Sequence, residues 1–115
     1  MHPPKIRRCY DPPEADDGQR ILIDRLWPRG VRRQDLAADL WLKEIAPSNE
    51  LRHWFGHDPT RWEEFRRRYF AELDANPEPL AKLRDRITIG PVTLLFAAKD
   101  EAHNNAVALR DYLAQ

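Results

Sequence analysis

The sequence of 115 residues contains a single cysteine, Cys9, and only four glycines. One cysteine cannot form an internal disulfide, so an oxidising compartment would offer this chain no added stability. No apolar signal core follows the N-terminal residues 1–5. The longest nearly uninterrupted apolar run, residues 92–98, is far shorter than the roughly 20 residues that span a bilayer. These absences predict a cytoplasmic protein without a membrane partner.

The sequence also lacks the short motifs that mark several classes of enzyme. It has no CxxC pair, no glycine-rich phosphate loop and no Gly-x-Ser-x-Gly elbow. Its four histidines and one cysteine are scattered along the chain. We therefore expect no metal site and no bound cofactor.

Neither sign of charge is in excess, because 19 basic residues balance 19 acidic ones. A neutral chain has no overall attraction for nucleic acid, so the net charge does not indicate nucleic acid as a partner. Hydrophobic residues make up 42% of the chain, which is sufficient for a core and unlike a disordered composition. The length fits one compact domain over residues 1–115. The composition leaves the oligomeric state open.

Two apolar segments predict buried strands that run parallel to each other in one sheet, as neighbours or near-neighbours. The first, residues 20–27, has an unbroken apolar centre, and the Pro-Arg-Gly string at residues 28–30 ends it. The second, residues 92–98, follows a Gly-Pro pair. A more basic stretch, residues 5–10, predicts an edge strand.

Apolar residues at helical spacing predict helices between and after these strands. Ser48 is a candidate N-cap for a short helix, and either Asp58 or Thr60 can cap the next one. We expect residues 66–68, three arginines, to lie on the exposed side of that helix and to pair with the preceding glutamates at i,i+4. The residues predicted to face the core are Trp62, Phe65, Tyr69 and Leu73, then Leu80, Leu83 and Ile87, and in the terminal helix Ala102, Ala106, Leu109 and Leu113.

Residues 40–46 fit two interpretations. Leu36, Leu40, Trp41 and Ile45 suit one face of a helix, but the segment also alternates in the manner of a strand. We favour a short helical turn around residues 34–37 that is followed by a strand.

Apolar strands separated by helices predict an α/β domain, with a small, mostly parallel sheet flanked by helices and a C-terminal helix after the last core strand. In open sheets of this class, ligands bind beyond the carboxyl ends of the parallel strands. That rule selects residues 24–29 and residues 99–105 as the place for a site.

The first of these strings sets Arg25 and Arg29 on either side of Trp27. A guanidinium group presents a planar fork of donors to carboxylate or phosphate, and an indole offers a flat face to a ring or a cation. A structural role is the alternative, with Arg25 bridging to a buried carboxylate and Trp27 closing the end of the core.

In the second string, Asp100 is the simplest N-cap for the terminal helix, which would place His103 and Asn104 in the first turn. Free N–H groups and the positive end of the helix dipole favour an anion there. Lys99 could pair with Asp24 or meet a substrate. The candidate ligand-binding residues of this cationic cleft are Asp24, Arg25, Trp27, Arg29, Lys99, His103 and Asn104.

His57 is a weaker candidate. It could act as an acid or base, but a histidine beside an aspartate at a helix junction is more often a capping partner.

Several strings of the sequence resemble the YeaO-like family, and together they cover nearly the whole chain. The family belongs to a wider group of domains of unknown function, so the resemblance implies no particular activity. It does imply a strand for residues 41–46. The strings are Tyr10-Asp11-Pro12, Asp24 to Gly30, Leu42-Lys43-Glu44, Ala46-Pro47-Ser48, Trp54 to Pro59, and Leu94 to Asp100 with His103-Asn104.

The wider group also resembles this chain at both strand ends. Its members carry an Asp-x-Arg string at the first strand and a Cys-x-Glu string followed by Cys-His-Arg at the last. This sequence has Asp24 and Arg25, but Ala97, Ala98 and Lys99 stand near the positions of the thiol and the carboxylate. The resemblance therefore gives no support to thiolate or metal chemistry here.

Two classes of function remain. One is a protein that binds a small anionic or phosphate-bearing ligand at the strand-end cleft, whether or not it is an enzyme. The other is a non-catalytic module that binds a protein or nucleic acid through the same basic and aromatic surface. Convergence of Arg25, Arg29, Lys99 and Asn104 on a closed cleft favours the first class, and a flat surface with these side chains paired to acidic neighbours favours the second.

Overall fold

The computed structural model describes residues 3–115. Within these residues, four strands and five α-helices follow one another with three short 3-10 turns. The strands are β1 (Lys5–Arg8), β2 (Gln19–Leu22), β3 (Leu40–Trp41) and β4 (Val92–Phe96). The helices are α1 (Arg33–Leu36), α2 (Asn49–Phe55), α3 (Trp62–Asp74), α4 (Pro77–Ile89) and α5 (Asn105–Leu113). The 3-10 turns span Ala15–Asp17, Lys43–Ile45 and Pro59–Arg61.

The four strands form one sheet in the order β1-β4-β2-β3, and every pairing is parallel. Ile21 of β2 lies opposite Leu94 of β4, and Leu22 lies opposite Leu95. The predicted α/β class, the parallel pairing of the two apolar strands and the terminal helix after β4 are therefore confirmed. Because β2 and β4 run in the same direction, their carboxyl ends meet at one edge of the sheet.

The burial of each strand follows its composition. β4 is buried at all five positions and lies in the middle of the sheet, as expected for a continuous apolar run. The basic strand β1 lies at an edge, which confirms that prediction. Gly18 precedes β2 with a φ of 66°, and a Cβ there would lie 2.3 Å from the carbonyl oxygen of Pro91. Glycine therefore permits the close approach at which β2 begins to pair with β4.

Helices α2 to α5 contribute to the main core, which covers one face of the sheet. Their buried residues include the predicted stripe of Phe65, Tyr69 and Leu73 on α3, while Trp62 is half-buried beside it. Of the three arginines that follow Phe65, Arg66 is half-buried and the next two are exposed. Burial of this stripe anchors α3 in the main core.

The other face of the sheet is covered by α1 and the loop before it. Leu22, Leu36 and Leu95 are buried there with Cys9, and Trp27 packs against them. No helix in the part of the chain covered by the structure, residues 3–115, has the length and apolar character needed to cross a membrane.

The segment 40–46 is neither the helix nor the full strand that the sequence allowed. Only Leu40 and Trp41 pair with β2, and a 3-10 turn follows at Lys43–Ile45. The predicted turn before it is present as α1. A strand over the whole segment is wrong because Leu42 leaves the extended conformation, with φ −98° and ψ 63°.

The structure selects one of the two predicted caps before α3 and corrects the predicted cap of α5. Asp58, not Thr60, caps the turn before α3, since its carboxylate accepts a hydrogen bond from the Thr60 amide. Helix α5 begins at Asn105, and the side chain of Asn104 is its N-cap. Asp100 instead caps an earlier bend, and Ala102 is exposed outside the helix and does not face the core. The predicted cap of α2 is confirmed, because Ser48 Oγ accepts from the Leu51 amide.

Candidate functional site

A cavity of about 260 Å³ lies beyond the carboxyl ends of β2 and β4, where the sequence predicted a site. We refer to it as the strand-end cavity. Four of the seven predicted ligand-binding residues line it, namely Asp24, Arg25, His103 and Asn104. Other polar lining residues come from α2, from the loop after it and from the start of α5, and they are Arg52, His57 and Asn105.

Asp24 is held by neutral donors. Its Oδ2 accepts a hydrogen bond of 2.9 Å from the backbone amide of Ala97, and its Oδ1 accepts one of 2.9 Å from the Asn105 side chain. Burial raises the pKa of this carboxyl above its usual range, and the two hydrogen bonds oppose that effect only in part. Asp24 therefore ties the ends of β2 and β4 to the start of α5 and keeps an acceptor at the cavity.

Arg25 does not bridge to a buried carboxylate, so the structural interpretation is wrong for this residue. Its Nη2 donates to the backbone carbonyls of Ala46 and Pro47 at 3.3 and 3.4 Å, which are long hydrogen bonds. Its Nε is buried and has no hydrogen-bond partner within residues 3–115. A half-buried guanidinium with an unused donor is an unusual feature at the wall of a cavity.

Arg52 and His57 reach the cavity from the region where α2 ends. Gly56 and His57 both have left-handed backbone, with φ of 54° and 57°, and they reverse the chain there. The Arg52 guanidinium makes one long hydrogen bond, of 3.4 Å, to Asn49. The His57 ring makes none with the described residues, so it is not the capping partner that its neighbour Asp58 suggested. Both side chains remain available to a ligand.

His103 and Asn104 are already engaged within the protein. Nδ1 of His103 lies 2.9 Å from Oδ2 of Asp100, and its ring meets the edge of Trp62 at a centroid distance of 5.3 Å. Hydrogen bonds from the backbone amide of Ala102 and from His103 lower the pKa of Asp100. Asn104 donates to the Asp100 carbonyl and accepts from the Val107 amide. The Val107 amide in the first turn of α5 is therefore already bonded to the Asn104 side chain. The prediction that this amide is free to bind an anion is wrong.

The other three predicted residues lie outside the strand-end cavity. Trp27 is part of the second core, where its Nε1 donates to the Val31 carbonyl and its ring packs edge-on against Trp41 at 5.4 Å. Arg29 and Lys99 are exposed. Neither forms a salt bridge within residues 3–115, so the proposed pairing of Lys99 with Asp24 does not occur. The predicted convergence of Arg25, Arg29 and Lys99 is therefore wrong.

The described residues offer no group of three or more side chains that could hold a metal ion. His53 and His57 stand four residues apart, an interval at which one helix can present two ligands. Gly56 ends α2 between them, so the two histidines do not share a helix face.

The thiol of Cys9 is not a nucleophile in this fold. It is only 4% exposed, and burial raises its pKa to about 12. The thiol therefore stays protonated at neutral pH, and the thiolate that reacts with electrophiles does not form.

Sequence reasoning missed Arg52, gave His57 little weight, and left Asn105 out of the candidate ligand-binding residues although residues 99–105 were selected for the site. Arg52 lies far along the chain from either strand end, and only the packing of α2 against the core brings it to the cavity. Asn105 carried a signal that could have been used, since two adjacent asparagines are poor helix formers and one of them was available as a partner for Asp24.

Comparison with known proteins gives relatives along nearly the whole chain. The family model described as the inactive DUF488-N3 subclade matches residues 4–115. The chain is 47% identical over 109 residues to the uncharacterized protein YeaO of Escherichia coli (strain K12), a match that covers 95% of each chain. It is 41% identical over 111 residues to the uncharacterized protein Rv3073c of Mycobacterium tuberculosis (strain ATCC 25618 / H37Rv), covering 95% of this chain and 92% of the relative. No solved structure matches the chain.

Proposed function

This chain belongs to the inactive DUF488-N3 subclade, and we propose that its strand-end cavity binds a small anion without catalysing a reaction of it. The description of the family as inactive supports binding over catalysis. The buried, protonated thiol of Cys9 supports it as well, because this cysteine offers no nucleophile. The named relatives are uncharacterized proteins, so the identity of the ligand has to be argued from the cavity itself.

The single observation that carries the proposal is the state of Arg25. Three buried arginine Nε atoms have no hydrogen-bond partner among the described residues, and they belong to Arg7, Arg25 and Arg66. Arg7 and Arg66 nevertheless have carboxylates within 4 Å of their guanidinium groups. Arg25 has none, although its charge is half-buried, and an unpaired buried charge is costly. An anionic ligand would supply the missing partner.

Arg52 and the size of the cavity support the same conclusion. Arg52 lines the cavity with Arg25 and has only one long hydrogen bond to Asn49, so two guanidinium groups are available to one ligand. A cavity of about 260 Å³ lies below the roughly 300–1,000 Å³ of pockets that hold drug-sized molecules. The ligand is therefore expected to be a small acid or a phosphate-bearing molecule of few atoms.

The test is to measure the binding of inorganic phosphate and of sulfate by calorimetry and through the midpoint temperature of thermal unfolding. We expect both anions to raise the midpoint, because a ligand that binds only the folded state stabilises it, by about 2.7 kcal/mol at 100 times its Kd. Arg25→Ala is expected to abolish this stabilisation.

Arg29→Ala is the matched control, because Arg29 is exposed and lies outside the cavity. It removes the same charge from the neighbouring loop and should leave anion binding unchanged. Equal loss of binding in both variants would show a general charge effect, and an absence of binding to the wild-type protein would contradict the proposal.

A second candidate function rests on the exposed side chains at the same edge of the sheet. Leu26 is 60% exposed and Tyr10 is 47% exposed, and the Tyr10 hydroxyl donates to the Arg29 carbonyl. Arg8 stacks over the Tyr10 ring at 5.1 Å. An exposed apolar and basic surface of this kind suits a protein partner with an acidic patch. A Tyr10→Ser, Arg29→Glu double variant, with both positions outside the strand-end cavity, would lose such a partner in an affinity-purification comparison while it retained phosphate binding.

A further inference from the structure

Two opposite charges share the strand-end cavity without pairing. Asp24 and Arg25 are neighbours in sequence and both line the cavity, yet neither takes part in a salt bridge with any residue of the described chain. Both are half-buried. Opposite charges that are partly removed from water normally pair, because each loses hydration on burial.

The fold holds the two charges apart through different segments. The carboxylate of Asp24 is drawn to the Ala97 amide after β4 and to Asn105 at the start of α5. The Nη2 of Arg25 is drawn to the carbonyls of Ala46 and Pro47, in the loop before α2. The cavity therefore offers a cation and an anion at separate places.

Each of these groups keeps hydrogen-bonding capacity for a ligand. The two carboxylate oxygens of Asp24 accept one hydrogen bond each from the described residues, whereas a carboxylate can accept about four. Among the described residues, the Arg25 guanidinium donates only through Nη2, in two long hydrogen bonds. A ligand that satisfies both must carry an acidic group and also a hydrogen-bond donor.

The charge of the cavity indicates which kind of hydrogen-bond donor the ligand carries. Counted formally, with neutral histidines, Arg25 and Arg52 contribute two positive charges and the Asp24 carboxylate one negative charge, so the lining has a formal charge of +1. A monoanion with a hydroxyl neutralises this charge, whereas a zwitterion would add an ammonium beside two guanidinium groups. Apolar side chains, among them Phe55 and Phe65, line the remainder and suit a short carbon skeleton.

We propose that the ligand of the strand-end cavity is a small hydroxylated monoanion, whose acidic group binds Arg25 and Arg52 and whose hydroxyl donates to Asp24. This inference rests on the proposed function, since it requires that the cavity binds an anion. It goes further by naming the chemical class of the ligand and by assigning Asp24 as the residue that distinguishes a hydroxy acid from a plain acid.

Three probes of nearly equal size test the inference, and they are propionate, lactate and alanine. They share a carboxylate and differ at the second carbon, which carries hydrogen, a hydroxyl or an ammonium group. Affinities would be measured by NMR titration of the isotope-labelled protein, which reports weak binding and locates it through the amides of Ala97 and Asn105. We expect lactate to bind about tenfold more tightly than propionate, the factor expected of one hydrogen bond to a charged group. Alanine should bind no better than propionate.

Asp24→Asn provides the specificity test. Removal of the negative charge should strengthen propionate binding, because the cavity then carries a larger positive charge. The preference for lactate should fall to about threefold or less, because a neutral acceptor forms a weaker hydrogen bond. A merely structural role of Asp24 would lower the affinity for both acids together.

The outcomes separate this inference from the proposed function. If lactate and propionate bind the wild-type protein equally, or if alanine binds best, the inference of a hydroxylated monoanion is wrong, whereas the proposal that the cavity binds an anion is not contradicted. If inorganic phosphate and all three probes fail to bind, the proposed function itself is wrong. The wild-type comparison decides the matter even if Asp24→Asn does not fold.

Discussion

At the scale of single residues, the strand-end cavity is defined by side chains whose bonds are incomplete. Asp24 is bonded by two neutral donors, and Arg25 by two carbonyls at long distance. Trp27 shows the opposite case, since its indole N–H donates to the Val31 carbonyl and its ring contacts Trp41 and Arg33. Nearby residues of the string 24–30 therefore have different roles. The hydrogen-bonding capacity that each side chain keeps for a ligand distinguishes them.

Asp24 should also leave a signature in the pH dependence of stability. Its folded pKa is raised above the usual 3.8, so between that value and the folded pKa the folded state binds more protons than the unfolded state. Stability contributed by this group is complete below pH 3.8 and is lost as the pH rises through the folded pKa. Urea titrations give the free energy of unfolding of the wild type and of Asp24→Asn. We expect the wild-type value minus the variant value to fall as the pH rises through this range. A difference that rises with pH would contradict the assignment.

At the scale of elements, the cavity depends on how α5 begins. The bend from Asp100 to His103 is stabilised by the Asp100 carboxylate, which accepts from two backbone amides, and the helix itself is capped by Asn104. This division of roles leaves Asn105 as the first helical residue, in position to donate to Asp24. The cap therefore fixes the cavity wall as well as the helix.

Asn104→Ala should destabilise the protein by about 1 kcal/mol, the usual effect of losing a helix cap. Asn104 is buried, and its side chain accepts from the Val107 amide at 3.0 Å, so that amide would lose its partner. Asn104→Ser should restore part of the loss, because a serine hydroxyl can accept from the same amide and adds no buried charge. Chemical denaturation measures both. Asn105→Ala is the control, since it removes a bond to Asp24 and leaves the cap intact, and equal losses in all three variants would contradict the capping role.

At the scale of the whole molecule, the net charge of zero means that any anion binding must come from local charges in the cavity. Asp24 and Arg25 are half-buried, whereas Arg52 is exposed, and salt screens exposed charges over about 10 Å at 0.1 M. We expect phosphate binding to weaken severalfold from low to high ionic strength. Arg52→Ala should bind less tightly and depend less on salt, whereas Lys99→Ala, outside the cavity, should match the wild type. Salt-independent binding that survives Arg52→Ala would contradict an electrostatic site.

The sequence by itself determined the order of elements, the parallel pairing of β2 with β4 and the edge at which a cavity forms. These follow from apolar periodicity and from the polar residues that begin where each apolar run ends, both of which are local properties. It also placed Asp24, Arg25, His103 and Asn104 correctly at that edge.

Only the tertiary structure decided that Arg52 and His57 join them and that Arg29 and Lys99 do not. The direction of a side chain beyond the end of a strand depends on which loop and helix pack over it, and those contacts join residues far apart in the chain. The same packing sent Trp27 to the second core and gave residues 40–46 two pairing residues and a 3-10 turn in place of one strand.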